Sequence, residues 1–316
     1  MSCITALRTV RGKRDDDSTN AGVENDRHGA ALTVGRPDGP TAVLVTILVL
    51  TVWPSGRPAD AQQVAPNRSA TYLFPTDVRD ARAIWVNPAG LGVAREASVY
   101  AEVGVSDPGS RGRLRQINAG FNSRGLSLGY QRDILDNGVR GTTLRLGLAG
   151  GTQGLAAGFD IARYSGNGAN ATGWDIGVSD VAFSQLTVGA VAANLGQPIV
   201  RGLRQQFTFI PGVTWHPGPV RALAVSTDAR ITRDSIESYA FGLAWRTTST
   251  SSRWPVEIIA RLDTDKGLRR GAFTLGLSIG GENRVGAVAS TPGDVSRIDG
   301  LSVYGLVARE ASTRRR

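Results

Sequence analysis

The stretch Gly141–Tyr164, GTTLRLGLAGGTQGLAAGFDIARY, alternates apolar side chains with small or polar ones in two runs separated by glycines. In the first run Leu144, Leu146 and Leu148 lie on one face, and Arg145 lies on the other. A period of two is the signature of a β-strand with two different faces. The stretch therefore predicts two strands joined by a turn.

The same alternation continues on both sides of this stretch, from about Ala97 to the end of the chain. The segments are close to the 9–11 residues of a transmembrane strand and longer than the 5–6 residues typical of soluble sheets. The sequence therefore predicts an all-β fold, an antiparallel up-and-down transmembrane β-barrel of about 14 strands. The predicted strands are 97–105, 113–121, 126–133, 141–149, 155–164, 173–182, 185–193, 205–216, 220–229, 238–247, 255–263, 270–280, 284–291 and 300–309.

The connections between these strands alternate in length. Ser106–Gly112 and Asn194–Arg204 are long, whereas Asn122–Gly125 and Pro217–Pro219 are short. Outer-membrane barrels have short periplasmic turns and longer outer loops. The alternation fails once, at Thr248–Trp254. An even number of strands leaves both chain ends in the periplasm.

Charged residues fall on the strand faces that also carry glycine, serine and threonine. A charge on the lipid face near the bilayer centre costs about 2–4 kcal/mol, so these side chains are expected to point into the lumen. The sequence gives no reason to prefer a particular partner for any of them. The predicted lumen-facing charges are Arg145, Asp160, Asp175, Glu257, Arg261 and Asp263.

The N-terminal part of the chain has the pattern of an export signal. Residues 41–52 form an apolar run shorter than the ~20 residues of a spanning helix, and Ala59-Asp60-Ala61 is a small-x-small cleavage signature. We therefore expect a leader over 1–61 with cleavage after Ala61. The predicted organisation continues with a periplasmic or lumenal segment 62–96, the barrel 97–310 and a basic tail 311–316.

The residues needed for most chemistry are scarce. Cys3 is the single cysteine, and the histidines are His28 and His216. Phosphate-binding glycine loops, nucleophile elbows and zinc-binding His-Glu motifs are absent. We therefore predict no enzyme, no cofactor and no metal site, and interpret His216 as a solvated turn residue. The excess of nine positive charges is almost entirely arginine and is not clustered with aromatics, so nucleic acid is not a predicted partner.

A structural motif precedes the first strand. Asparagine before proline favours extended backbone, proline fixes the next φ, and the glycines allow close packing. The pattern predicts a rigid corner at the barrel entry, preceded by a short helical segment over Asp77–Trp85. The motif residues are Asn87, Pro88, Ala89, Gly90, Leu91 and Gly92.

The stretch Ala81–Leu91, ARAIWVNPAGL, resembles the start of the FadL-like and PorV-like outer-membrane families. Two later elements extend the resemblance, Trp174–Gly177 (WDIG) and Ala193–Gly196 (ANLG). The resemblance implies a fourteen-stranded barrel. In the FadL branch it implies an N-terminal segment that plugs the lumen and hydrophobic substrates that leave through the barrel wall. In the PorV branch it implies a role in protein secretion.

These observations predict a protein of the bacterial outer membrane that passes hydrophobic small molecules and whose partners are outer-membrane lipid and those molecules. A secretion or assembly scaffold, with secreted proteins as partners, is the first alternative; a soluble periplasmic all-β binding module is the second. A transporter predicts a lateral kink or gap and an apolar pocket near the N-terminal segment, and a scaffold predicts a filled lumen and an exposed binding surface. Few aromatics and a C-terminus of Arg314–Arg316 instead of an aromatic residue favour the soluble alternative.

Overall fold

Fourteen antiparallel strands close into one barrel in which neighbours in sequence are neighbours in space and the last strand pairs with the first. The computed structural model describes residues 67–93, 96–106, 113–134, 140–152, 154–166, 169–200, 202–218, 221–233, 235–247 and 254–310. The predicted leader, its cleavage site and the tail 311–316 lie outside these residues. Within the described ranges, no helix is long and apolar enough to cross a membrane.

Among the described residues three short helical elements precede the barrel, and a two-stranded hairpin, β8–β9, lies outside the barrel ladder. All fourteen predicted strands are confirmed, with ends within four residues of the prediction. The helical elements are the 3-10 helices Arg68–Thr71 and Ala81–Trp85 and helix α1, Gly90–Val93. The strands are β1 Glu96–Ser106, β2 Arg113–Ser123, β3 Leu126–Ile134, β4 Arg140–Gly151, β5 Leu155–Gly166, β6 Ala169–Phe183, β7 Leu186–Leu195, β8 Ile199–Val200, β9 Leu203–Arg204, β10 Thr208–Trp215, β11 Leu223–Ile231, β12 Ile236–Arg246, β13 Val256–Asp265, β14 Arg270–Gly280, β15 Asn283–Pro292 and β16 Gly300–Glu310.

The barrel closes along the whole length of its first and last strands. The ladder between β1 and β16 runs without a register shift from Glu96 opposite Glu310 to Ser106 opposite Gly300. A C-terminal aromatic residue is therefore not needed for closure. Tyr304, an aromatic residue of β16, points inward and stacks on Tyr72 with ring centroids 5.9 Å apart.

The outer face of the barrel is apolar. Leu128, Leu144 and Leu155 are 55%, 52% and 58% exposed, and similar side chains continue around the ring. A continuous apolar surface of this kind fits lipid rather than water. The closed barrel with this belt makes the protein an outer-membrane barrel, so the soluble alternative is wrong.

The two ends of the barrel differ in their connections. The turn between β2 and β3 consists of Arg124 and Gly125, both at positive φ (53° and 95°), as in the tight type I′ turns of hairpins. The chain enters β1 and leaves β16 at this same end. Because short turns and both chain ends mark the periplasmic side, we call it the inner end and the opposite one the outer end.

The connection between β7 and β10 folds back into the lumen at the outer end. It contains the hairpin β8–β9, and Val200 of β8 is buried against Ala162 and Tyr164 on the inward face of β5. The backbone N–H of Gln205 donates to the carbonyl of Pro198 at 2.9 Å, which closes the base of the hairpin. This hairpin covers the lumen next to β5 and β6.

Residues 67–93, called here the plug, lie inside the barrel. Their apolar side chains form the main cluster of buried residues together with inward residues of β15 and β16. The plug contains all three helical elements and is followed by β1 after two residues. Its fully buried or nearly buried members in this cluster are Tyr72, Leu73, Val78, Ala83, Ile84 and Leu91.

Candidate functional site

Several glycines of the inner wall lie directly against the plug. A Cβ atom at Gly242 would lie 2.1 Å from the Phe74 ring, and one at Gly129 would lie 2.8 Å from the Trp85 ring. Real Cβ atoms do not approach other atoms this closely, so a larger residue would displace the plug. The wall glycines with a plug atom within 3.2 Å of such a Cβ are Gly104, Gly120, Gly129, Gly147, Gly158, Gly177, Gly189, Gly242 and Gly300.

Asn87, the first residue of the predicted entry motif, is completely buried between the plug and β6. Its Nδ2 donates to the carbonyls of Pro75 at 2.8 Å and Val178 at 3.2 Å. Its Oδ1 accepts the backbone N–H of Ala89 at 3.0 Å. A Cβ atom at Gly177 would lie 1.9 Å from that Oδ1. The motif therefore fixes the plug to the wall, and α1 then leads towards β1.

Arg145 holds two wall carboxylates together against the plug. Its Nη1 lies 2.7 Å from Oδ1 of Asp160 and also donates to Oδ2 of Asp175. The other oxygen of Asp175 accepts the backbone N–H of Asn194 at 2.7 Å. The guanidinium lies 5.4 Å from the centroid of the Trp85 ring. One guanidinium thus pairs with two buried carboxyl groups and contacts the plug, and both later elements of the family resemblance take part.

Arg261 of β13 forms the second anchor of the plug. Its Nη1 donates to the carbonyl of Leu73 at 2.7 Å, and its guanidinium lies 4.6 Å from the centroid of the Phe74 ring. Asp263 accepts from its Nη2 at 2.9 Å, and Asp228 lies 3.5 Å from its Nη1. The side chains of Arg261 and Asp228 are only 3% and 2% exposed, so these two charges lie away from solvent.

The plug supplies its own anion to a third cluster. Asp80 forms ion pairs with Arg82 at 2.7 Å and with Arg284 of β15 at 2.9 Å. Burial raises the pKa of Asp80, but the two guanidinium groups outweigh it and lower the pKa to about 2. Arg82 also lies 5.1 Å from the centroid of the Tyr304 ring. Glu257 belongs to the same cluster, because its Oε2 lies 4.0 Å from Nη1 of Arg284.

His216 was interpreted from the sequence as a solvated turn residue, and that interpretation is wrong. It is only 8% exposed, and its Nε2 lies 3.4 Å from Oδ1 of Asp77 in the plug. Burial raises the pKa of Asp77, but the hydrogen bond and the charge interaction with His216 outweigh it, and the pKa is lowered. The sequence contained no sign of this contact, because Asp77 and His216 are separated by most of the barrel.

The structure therefore brings the six predicted charges into three clusters. Arg145, Asp160 and Asp175 form one cluster, and Arg261 with Asp263 belongs to another. Glu257 accepts from Arg246 and from Ser278. Asp263 is the most exposed of the anions in the second cluster, with 33% of its side-chain surface accessible.

Sequence reasoning missed the charged residues of the plug and several of their wall partners. Among the described residues, no group of three or more His, Cys, Asp or Glu is arranged to hold a metal ion. The sequence signal for the plug was the pair Asp80 and Arg82, two opposite charges two residues apart. The missed residues are Asp77, Asp80, Arg82, Asp228 and Arg284.

The outer face of β1–β5 carries a depression of about 560 Å³. Its floor contains Gly120 and Gly129, which are paired with each other across β2 and β3. Ile84 and Trp85 of the plug pack against the other side of Gly129. The wall between plug and bilayer is therefore only a glycine backbone thick at this point. Its apolar walls are formed by Val99, Ala119, Phe121, Leu128, Tyr130, Leu144, Leu146 and Ile161.

The barrel is similar in fold to solved outer-membrane proteins. The Ralstonia pickettii toluene transporter TbuX superposes with a TM-score of 0.50 at 12% identity, covering 79% of this chain and 98% of that one. The Pseudomonas putida toluene transporter TodX gives 0.43 at 11% identity, covering 75% of this chain and 94% of that one. A Pseudomonas aeruginosa FadL homologue gives 0.41 at 10%, covering 76% and 96%. The chain matches no protein-family model and no curated protein sequence.

The comparison with TbuX concerns the fold alone, because so few residues are identical. At that level the barrel fold that the FadL-like resemblance implied is confirmed, since this chain shares its fold with a solved outer-membrane transporter. TbuX is a transporter rather than an enzyme.

Proposed function

We propose that the protein passes hydrophobic small molecules across the outer membrane and has no catalytic role. The observation that carries the proposal is the apolar wall depression over β1–β5, which lies opposite the plug. Ligand sites for hydrophobic molecules are concave and lined mostly by apolar side chains with few polar groups. The depression has this character.

The depression also lies where the wall is thinnest, because glycines form its floor. Gly120 and Gly129 carry no side chains that would separate the bilayer from the plug, and Tyr100 and Arg145 contribute to the lining from the inward face. Because β2 and β3 are paired here without a register shift, passage would require this backbone pairing to open as well as the plug helix Ala81–Trp85 to move. TbuX, whose barrel is similar, is a toluene transporter, which supports an aromatic hydrocarbon as the first molecule to test.

The experiment is uptake of radiolabelled toluene by bacteria that lack their own toluene transporters and produce this protein. Ala119→Trp would fill the depression from its outer side without reaching the plug, because Ala119 lies on the outward face of β2. Ala287→Trp, on the outward face of β15, is the matched control. Both variants must reach the outer membrane and shift on a gel after boiling.

We expect Ala119→Trp to lower uptake about tenfold, equivalent to about 1.4 kcal/mol of lost binding, and Ala287→Trp to leave it unchanged. Equal uptake by both variants and the unmodified protein would rule out passage through the depression. No uptake by any of them would favour the second candidate.

The second candidate is a secretion or assembly scaffold of the PorV type. The plug inside the lumen favours it, because a scaffold does not need an open path. It predicts that export of partner proteins falls when the gene is deleted, whereas toluene uptake does not change.

A further inference from the structure

Three arginines stand on the lipid-facing side of three adjacent strands at the outer end of the barrel. Arg132 of β3 shares a face with Leu128 and Tyr130, and its buried neighbours in sequence point into the lumen. Arg163 of β5 and Arg140 of β4 are exposed on the same outer surface. We call Arg132, Arg140 and Arg163 the outer arginine patch.

The strand registers place these arginines close together. Arg132 is directly opposite Thr142 of β4, and Arg140, two residues away, is opposite Ile134. Arg163 is opposite Leu144, the next outward residue below Thr142. With strands about 4.8 Å apart and about 3.4 Å per residue, the three Cα atoms fall within roughly 15 Å of one another. One lipid headgroup can span this distance.

The patch has hydroxyl groups beside it and no ion-pair partners among the described residues. Arg132 donates to Oγ1 of Thr142 at 2.6 Å, and Arg163 donates to Oγ1 of Thr172 at 3.2 Å. In the described parts of β2–β6, no acidic side chain lies on the outer face at this end. The loop sequences 107–112 and 135–139 add two aspartates and one arginine, so this end remains net positive.

The position of the patch relative to the apolar belt identifies its partner. Below Arg163 on the same face come Ile161 and Phe159, and below Arg132 come Tyr130 and Leu128. The guanidinium groups therefore lie at the level where headgroups meet acyl chains, with apolar surface immediately beneath. Guanidinium groups bind phosphate in a bidentate manner, and basic patches at a membrane surface bind phosphorylated headgroups.

We propose that the outer arginine patch binds the phosphorylated headgroup of an outer-leaflet glycolipid. The lipid's acyl chains then lie along the apolar belt of β3–β5. Arg163 also lines the wall depression described above, so the patch adjoins the proposed passage, but the proposal itself does not depend on passage of small molecules.

The test compares binding of a bisphosphorylated lipid A and its dephosphorylated form to the purified full-length protein by native mass spectrometry in a nonionic detergent. The patch variant is Arg132→Gln, Arg140→Gln and Arg163→Gln together. The control removes the same charge from the opposite side of the outer end, with Lys266→Gln, Arg269→Gln and Arg270→Gln, all at exposed positions.

We expect the unmodified protein and the control to bind the phosphorylated lipid about tenfold or more tightly than the dephosphorylated one, as charge-assisted bidentate contacts require. The patch variant should bind both forms equally. The proposal is overturned if the unmodified protein shows no preference for phosphate, or if the control loses the preference as fully as the patch variant. A gel shift on boiling verifies that each barrel is folded.

Discussion

Gly177→Ala should release the plug from the wall although it adds a single methyl group. The new Cβ atom would lie 1.9 Å from Oδ1 of Asn87 and 3.0 Å from its Cγ. Asn87 cannot turn aside, because both ends of its amide are engaged by Pro75, Val178 and Ala89. Moving it breaks three hydrogen bonds in a fully buried site. At about 1 kcal/mol each, the docked plug loses about 3 kcal/mol, or somewhat more than a hundredfold in its docking equilibrium.

Hydrogen–deuterium exchange of the plug measures this loss directly. The backbone N–H of Asn87 donates to the carbonyl of Ala83 at 2.8 Å, so its protection reports on the docked plug. Exchange in peptides covering 80–93 should accelerate about a hundredfold in Gly177→Ala, with the barrel strands still protected. Gly305→Ala is the matched control, since a Cβ atom there meets nothing within 4 Å. Unchanged plug exchange in Gly177→Ala would refute the reasoning that Asn87 is wedged against Gly177.

Two further predictions concern the charged anchors. Arg145→Met leaves Asp160 and Asp175 buried without a cation. It should lower the free energy of unfolding of the barrel by about 3–5 kcal/mol, measured by urea unfolding followed by gel shift. Adding Asp160→Asn and Asp175→Asn should recover most of this loss, and failure to recover any of it would show that the charges are not the cause. The pKa of Asp80 is about 2 in the docked plug against an ordinary 3.8, so its contribution of about 2 kcal/mol is present above pH 4 and is lost as the pH falls towards 2. Plug protection, corrected for the intrinsic pH dependence of amide exchange, should fall over that pH range in the unmodified protein and should change less in Asp80→Asn. Identical corrected pH profiles would contradict the assignment.

The strands were predictable because the barrel imposes its pattern locally. Each strand must place apolar side chains outward and small or charged ones inward, and a period of two records this within ten residues. The inward direction of Arg145 and Asp160 follows from this rule alone. The contact of these two residues with Asp175 does not follow from the rule. It depends on the register of β5 against β6, which places Asp160 opposite Asp175.

The packing of the plug inside the lumen could not be predicted from the pattern within single strands. The high glycine count is visible in the sequence, but only the packed plug explains why glycine stands at Gly158 and Gly242 in particular, where plug atoms would otherwise collide with a side chain. The error over His216 has the same origin. A lone histidine at a strand end is ordinarily solvated, and its burial here comes from Asp77, a residue of the plug.

The plug also has a consequence for the order in which the barrel is made. Joining β1 to β16 means closing a loop of about two hundred residues, which is entropically slow. The plug emerges before any strand, yet Arg261 reaches Leu73 and Arg284 reaches Asp80 from near the other end of the chain. Each C-terminal strand that docks on the plug, such as β13 or β15, is brought close to β1 before β1 pairs with β16. The segment that fills the finished lumen is thus also a template on which the open sheet curls towards closure.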